Sequence, residues 1–141
     1  MYQENEAIAR RYIEELWNNK NFDVIDEVFT EDFVGHLFKS SKGHNGIREN
    51  VAAFQQAFPD AHTTIHDIFG SNDRIVIRWS LVASHQGEFF GIPATGGKIS
   101  LKGITIERFE SGKIAELWAE IDVFGLIKQL KQATQSAQAS T

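Results

Sequence analysis

The first half of the chain carries its apolar residues at helical spacing. Residues 5–17 place them at steps of four, with charged residues largely on the other faces, which predicts an amphipathic helix. Residues 22–29 are predicted as a short second helix that follows a group of asparagines. A third helix is predicted from Asn45, a favourable cap, to a stop before Pro59. The buried face of this helix is predicted to consist of Ile47, Val51, Phe54 and Phe58.

From Ala61 onward the apolar period changes to two, which is typical of β-strands. The pattern predicts strands over residues 62–69, 74–85, 98–109 and 113–121. The last three form an antiparallel meander in this interpretation, and helices followed by strands define an α+β fold. A last short helix is expected over 123–133. We expect one domain over residues 1–134 and a flexible tail over residues 135–141, which has no large apolar residue.

Composition narrows the range of functions. The 141 residues have a net charge of −5 and no run of basic residues, so nucleic acid is not an expected partner. Cysteine is absent, which removes disulfides, thiolate nucleophiles and cysteine-based zinc sites. No stretch approaches the 18 consecutive apolar residues of a membrane span, and the acidic start differs from a signal peptide. These features predict a soluble, cytoplasmic protein without a membrane partner.

The predicted last strand combines acidic side chains with tryptophan. Alternation places Trp118, Glu120 and Asp122 on one face of this strand. If Trp118 points into a pocket, a carboxylate beside it becomes a candidate general base, since poor hydration makes carboxylates more basic. Two alternatives remain open at this stage. The face could be exposed, with Trp118 at a subunit contact, and Asp122 could cap the helix that begins near Val123.

Other polar residues give weaker signals for chemistry. Arg78 lies in a predicted strand as a possible cation for an anionic intermediate, although most strand arginines are paired or solvated. His36 is placed where a short strand could end at a cavity rim. His62 and His66 are about 13 Å apart along a strand, too far for one ion, so no metal site is predicted. Neither a nucleotide-binding glycine pattern nor a serine elbow occurs.

Five segments together resemble a known family. They are YIEELWNN (12–19), EDFVGH (31–36), FQQAFPD (54–60), HQGEFFGIPATG (85–96) and GKIAELWAEID (112–122). In this order they resemble the SnoaL-like polyketide cyclases, also called ester cyclases, of the nuclear transport factor 2-like superfamily. The resemblance extends from about Ala7 to Leu130. It departs from many relatives at Leu117, where they are expected to have a histidine before the tryptophan.

The resemblance implies a cone, in which about three helices and a strongly curved antiparallel sheet enclose an apolar pocket, commonly in a homodimer formed through the sheets. It implies that Asp122 is the general base of an aldol closure, with Glu120 as a second candidate from related epoxide hydrolases. The substrate-binding residues expected around the pocket are Tyr12, Trp17, His36, Phe54, Phe58, Arg78, Trp79, Phe90 and Trp118.

The leading hypothesis is a cyclase or isomerase that removes a proton alpha to a carbonyl of a small hydrophobic substrate, with His36 or Arg78 stabilising the enolate. This chemistry requires no metal or redox cofactor. The alternative is a binding module that holds a small apolar ligand in the cone without chemistry, because a fold does not determine a function.

Overall fold

The structure is a computed structural model that describes residues 2–139. It shows an α+β fold in which helices pack against a curved, unclosed sheet of six strands. The helices are α1 (Tyr2–Arg11), α2 (Ile25–Val28), α3 (Gly43–Ala57) and α4 (Val123–Ala139). The strands are β1 (Phe29–Leu37), β2 (Lys39–Lys42), β3 (His62–Ser71), β4 (Arg74–Ser84), β5 (Lys98–Glu110) and β6 (Lys113–Ile121).

The strand order in the sheet is β2-β1-β6-β5-β4-β3. The antiparallel meander predicted for the last three long strands is confirmed, since β4 pairs with β5 and β5 with β6. Strand β1 extends the sheet by pairing in parallel with β6, and β2 pairs antiparallel with β1. Most of β1 and all of β2 were outside the predicted strands, because their polar residues give little alternation.

The helix predictions need three corrections. Residues 22–24 form a 3-10 turn, and α2 ends at Val28, so Phe29 already belongs to β1. Helix α3 begins at Gly43, and the Asn45 side chain accepts a hydrogen bond from Arg48 instead of capping the helix. Helix α4 continues to Ala139, so most of the predicted flexible tail is helical, and residues 140–141 lie outside the described residues.

Helix α1 continues as a π-helical segment over Tyr12–Asn18. The Asn19 backbone N–H donates to the Glu14 carbonyl five residues earlier, at 3.1 Å, which is the hydrogen-bond span of a π-helix. This segment buries Tyr12, Ile13, Leu16 and Trp17 against the sheet. The apolar stripe predicted for the first helix therefore does face the core, although the helical geometry changes halfway along it.

The core lies between the concave face of the sheet, α1 with its π-helical continuation, and α3. Strands β4 and β5 alternate regularly between buried and exposed residues. Their buried positions include Ile75, Ile77, Trp79, Leu81, Ile99 and Leu101. Helix α4 lies along the edge of β5, where the Gln129 amide exchanges two 2.8 Å hydrogen bonds with the Ser100 backbone.

Candidate functional site

An apolar cavity lies inside the cone. It is lined by the π-helical segment, by α3, by the end of β1 and by the inner faces of β3 to β6. The lining residues are Tyr12, Ile13, Trp17, Leu37, Phe38, Phe54, Thr63, Trp79, Leu81, Leu101, Thr105, Leu117 and Ile121. The cavity has a volume of about 30 Å³, which is enough for one or two water molecules. It is therefore much smaller than a pocket that holds a drug-sized molecule.

Four of the expected pocket residues lie around this cavity: Tyr12, Trp17, Phe54 and Trp79. The polar atoms of Trp79 are satisfied within the core, because its indole N–H donates to the Thr105 hydroxyl at 2.9 Å. The Tyr12 side chain is buried, and burial raises the pKa of its hydroxyl well above the ordinary value. Tyr12 is therefore a neutral phenol at the inner end of the site.

Phenylalanine rings close the cavity on the α3 side. The Phe54 ring contacts the rings of Trp17, Phe38, Phe58 and Phe89, with centroid distances of 4.8–5.6 Å. Phe58 lies behind Phe54 against His85 and does not line the cavity. Phe90 is half-exposed at the rim, where it contacts Phe38. Of the expected lining residues, Phe58 is therefore core and Phe90 is an outer neighbour of the cavity.

The expectation that Trp118 lines the interior pocket is wrong. Trp118 lies on the outer face of β6, opposite Ile106 of β5, with the Arg74 guanidinium 5.2 Å above its ring. The His36 ring stacks with Trp118 at a centroid distance of 5.9 Å, and its Nε2 lies 3.0 Å from a carboxylate oxygen of Glu116. Since Leu117 points inward, alternation forces both neighbours of Leu117 outward.

Arg78 also lies on the outer face of the sheet. It is exposed and forms an ion pair with Asp67 of the neighbouring strand β3. His36 and Arg78 are thus both held by carboxylates outside the cone. The expectation that either one contacts an intermediate inside the cone is wrong for the same reason as for Trp118, because each occupies an outward position of its strand.

The two predicted catalytic carboxylates lie at the rim end of β6. Glu120 is exposed on the outer face, opposite Ile104. Asp122 follows the last residue of β6, and its side chain accepts a 3.0 Å hydrogen bond from the Gly125 backbone N–H. Asp122 is thus the N-cap of α4, which was the structural alternative given by the sequence. The neighbouring Ile121 reaches the cavity, so Asp122 is one residue away from the cavity lining.

Sequence reasoning missed a buried carboxyl inside the cone. Glu107 of β5 is fully buried, and neither of its carboxyl oxygens has a hydrogen-bond partner among residues 2–139. Burial raises the pKa of Glu107 well above its ordinary value of 4.5. The signal was the alternation of β5, which puts Thr105, Glu107 and Phe109 on one face. The same face carries Ile99 and Leu101, so alternation places Glu107 in a mostly apolar row that faces the core.

A second buried ionisable group supports the long connection between β4 and β5. The His85 ring is buried, its Nδ1 lies 3.1 Å from the Thr95 hydroxyl, and burial lowers its pKa. The His85 backbone exchanges two 2.8 Å hydrogen bonds with Gly96 and Gly97. His85 therefore fixes both ends of the segment that carries Phe89 and Phe90.

Neither a cluster of metal ligands nor a helix able to span a membrane occurs within residues 2–139. In this part of the chain no three histidine, aspartate or glutamate side chains converge as ligands for a metal ion. No helix in the same range is long and apolar enough to cross a membrane.

The curved sheet, the helices against its concave face and the apolar cavity between them define a cone-shaped α+β protein of the nuclear transport factor 2-like type. Residues 7–130 match the SnoaL-like polyketide cyclase family, so the chain belongs to that family. No curated protein matches it.

Solved structures share this fold over nearly the whole chain. AclR of Streptomyces galilaeus, a proposed hydroxylase, is 26% identical with a TM-score of 0.82, covering 94% of this chain and 98% of its own. A proposed polyketide cyclase from Acidithiobacillus ferrooxidans is 25% identical with a TM-score of 0.81, covering 92% and 96%. A proposed SnoaL-like polyketide cyclase from Jannaschia sp. CCS1 is 20% identical with a TM-score of 0.84, covering 91% and 92%, and shows the fold alone.

Proposed function

We propose that this protein is a cyclase or isomerase that binds a small hydrophobic carbonyl compound in the cone and removes a proton alpha to the carbonyl. The observation that carries the proposal is the cavity itself, which is lined mostly by aromatic and aliphatic side chains and has few polar groups. Such a lining suits an apolar molecule with one or two oxygen atoms. The SnoaL-like family of the chain supports the same class of reaction.

The proton acceptor in this proposal is Asp122. Its carboxylate takes the proton, and the electron pair of the C–H bond forms the enolate of the substrate. In a cyclase, the enolate carbon then attacks a second carbonyl carbon of the same molecule. In an isomerase, the enolate is protonated at another carbon. Both outcomes begin with one proton transfer and require no electron acceptor.

Substrate binding requires the cavity to enlarge, because ligand pockets of drug-sized molecules have volumes of several hundred cubic ångströms. Phe38 and Phe90 are the side chains suited to move, since both lie at the rim and Phe90 is half-exposed. The buried rings of Phe54 and Phe58 are enclosed by neighbours and form the fixed part of the wall.

Exchange of the α-protons of 2-tetralone for deuterium, followed by proton NMR, tests this proposal without a known substrate. Wild-type protein is expected to accelerate the exchange. Asp122→Asn is expected to lower the rate by about 100-fold or more, which is the usual contribution of a general base. Its free energy of unfolding should change little, because asparagine caps a helix as well as aspartate does.

Two control variants separate the roles of the rim carboxylates. Asp122→Ala should lose the exchange and also about 1 kcal/mol of stability, because alanine cannot cap α4. Glu120→Gln should retain the exchange, since its side chain faces away from the cone. If Glu120→Gln loses the exchange and Asp122→Asn keeps it, the base is Glu120. If Asp122→Asn and Glu120→Gln both keep the wild-type exchange rate, neither rim carboxylate is the base.

A binding module without chemistry is the second candidate. The observation that favours it is the hydrogen bond between Asp122 and Gly125, which gives the carboxylate a structural role. Binding of 2-tetralone without any acceleration of exchange in the wild-type protein would support this candidate against the enzyme.

We also propose that the outer face of the sheet joins two copies into a homodimer. An apolar row crosses four strands through residues that are register partners: Phe69, Val76, Ile106 and Trp118. Phe69 is 58% exposed and Ile106 is 38% exposed. Contiguous apolar surface of this kind marks interaction sites.

Light scattering of Ile106→Lys tests the homodimer. The wild-type protein is expected to have the mass of a dimer at micromolar concentration, and Ile106→Lys that of a monomer, because a lysine would bury an unpaired charge in the contact. Gln56→Lys adds the same charge to an exposed position of α3 and should remain dimeric. A monomeric wild-type protein would contradict the proposal.

A further inference from the structure

Glu107 is a buried acidic group inside the cone that has no role in the proposed proton transfer. It is fully buried in β5, and both carboxyl oxygens lack a hydrogen-bond partner among the described residues. Leaving such a group unpaired costs about 1–3 kcal/mol or more, so an unpaired buried carboxyl in a native protein requires an explanation. A ligand that completes its hydrogen bonds would provide one.

The neighbours of Glu107 connect it to the cavity. Thr105 precedes it by two residues on the same inward face, and Leu117 is its register partner on β6. Both residues line the cavity. Tyr12 also lines it, and the Glu107 carboxylate, when ionised, contributes to the raised pKa of the Tyr12 hydroxyl. The carboxyl therefore lies directly behind the inner wall of the cavity.

We infer that Glu107 determines ligand specificity, by forming a hydrogen bond with an oxygen atom at the inner end of an elongated apolar ligand. This inference rests on the proposed function, since it requires an apolar molecule in the cone. Burial raises the pKa of Glu107 and so favours its protonated, neutral form in the folded protein. A carboxylic acid donates a hydrogen bond to a carbonyl or phenolate oxygen and accepts one from a hydroxyl.

The position of Glu107 also constrains the length of the ligand. Glu107 pairs with Leu117, whereas the rim carboxylate Asp122 lies five residues further along the same strand direction. At about 3.3 Å per residue, the two acidic positions are about 16 Å apart along the sheet. Glu107 thus cannot contact the enolate oxygen formed beside Asp122. It holds the far end of a ligand with several rings or a comparable chain, which carries an oxygen atom at that end.

A pair of matched probes, 2-naphthol and naphthalene, tests this inference by calorimetry with the purified protein. The probes differ by one hydroxyl group. In Glu107→Leu, the affinity for 2-naphthol relative to that for naphthalene is expected to fall about fivefold. This factor corresponds to the usual free energy of one buried hydrogen bond. In Glu107→Gln the ratio should remain near that of the wild type, because the amide both donates and accepts. Glu49→Gln, on the exposed side of α3, is the matched control.

Infrared difference spectra provide a second measurement that does not depend on the stability of the leucine variant. Addition of 2-naphthol should shift a carboxylic acid C=O band in the wild type, and the band should be absent in Glu107→Gln. An unchanged affinity ratio in Glu107→Leu, or 2-naphthol binding without a band shift, would overturn the role of Glu107 and leave the proposed function intact. Failure of both probes to bind the wild type would instead contradict an apolar ligand site in the cone.

Discussion

Glu107→Gln is expected to stabilise the folded protein at neutral pH. The Glu107 carboxyl is fully buried and unpaired among residues 2–139, and its pKa in the folded state is well above 4.5. In the unfolded chain the same carboxyl ionises near 4.5. Between that value and the folded pKa, the free energy of unfolding of the wild type therefore falls by about 1.4 kcal/mol for each pH unit. The Glu107→Gln variant has no such loss, because glutamine does not ionise.

The direction of this effect with pH follows from the raised pKa. Below pH 4.5 both states of Glu107 are protonated, so wild type and Glu107→Gln should have similar free energies of unfolding. As the pH rises, the unfolded state releases its proton first and the wild type loses stability. If the folded carboxyl is still protonated at pH 7, the difference reaches about 3 kcal/mol in favour of glutamine.

Urea denaturation at pH 4 and pH 7 measures this difference directly. Glu49→Gln makes the same substitution at an exposed site. Its free energy of unfolding should differ from that of the wild type by less than about 0.5 kcal/mol at either pH. A variant Glu107→Gln that is equally stable or less stable than wild type at pH 7 would show that the carboxylate is solvated or paired in solution.

Phe54→Ala is expected to cost about 3–5 kcal/mol of the free energy of unfolding, which is the usual range for a buried phenylalanine. The Phe54 side chain is 2% exposed and contacts the rings of Trp17, Phe38, Phe58 and Phe89. Removing it leaves a void beside the existing cavity, because the surrounding rings come from four different parts of the chain and cannot all move inward.

The matched control for this variant is Phe124→Ala. Phe124 is 81% exposed on α4, so its truncation should change the stability by less than about 0.5 kcal/mol. Thermal or urea denaturation of both variants under the same conditions makes the comparison. A loss below about 1 kcal/mol for Phe54→Ala would show that the aromatic cluster is not packed as in this structure.

The long strands and the apolar helix faces were predictable because their signals are local. The period of two from residue 62 onward predicts the antiparallel meander, and the stripe Ile47, Val51, Phe54 and Phe58 predicts the buried face of α3. The order of the family-like segments was sufficient to predict the cone, which the match over residues 7–130 confirms at the level of the family.

The elements that were missed depend on distant partners. Strand β2 has only four residues, three of them exposed, and its existence depends on pairing with β1. The change from α-helix to π-helix at Tyr12 is likewise absent from the apolar pattern, because the stripe continues through both. The extension of α4 to Ala139 includes small polar residues, whose helical state is a weak local preference.

By itself, the sequence determined the α+β class, the meander and the two alternating faces of each strand. Only the tertiary structure decided which face is concave. Alternation separates Glu107 from Ile106, and Leu117 from Trp118, but it carries no information about the side on which the helices pack. Packing on the concave face buries Glu107, whereas Trp118 lies on the outer face beneath the Arg74 guanidinium. The candidate site therefore lies on the face that the helices cover, since burial depends on long-range contacts.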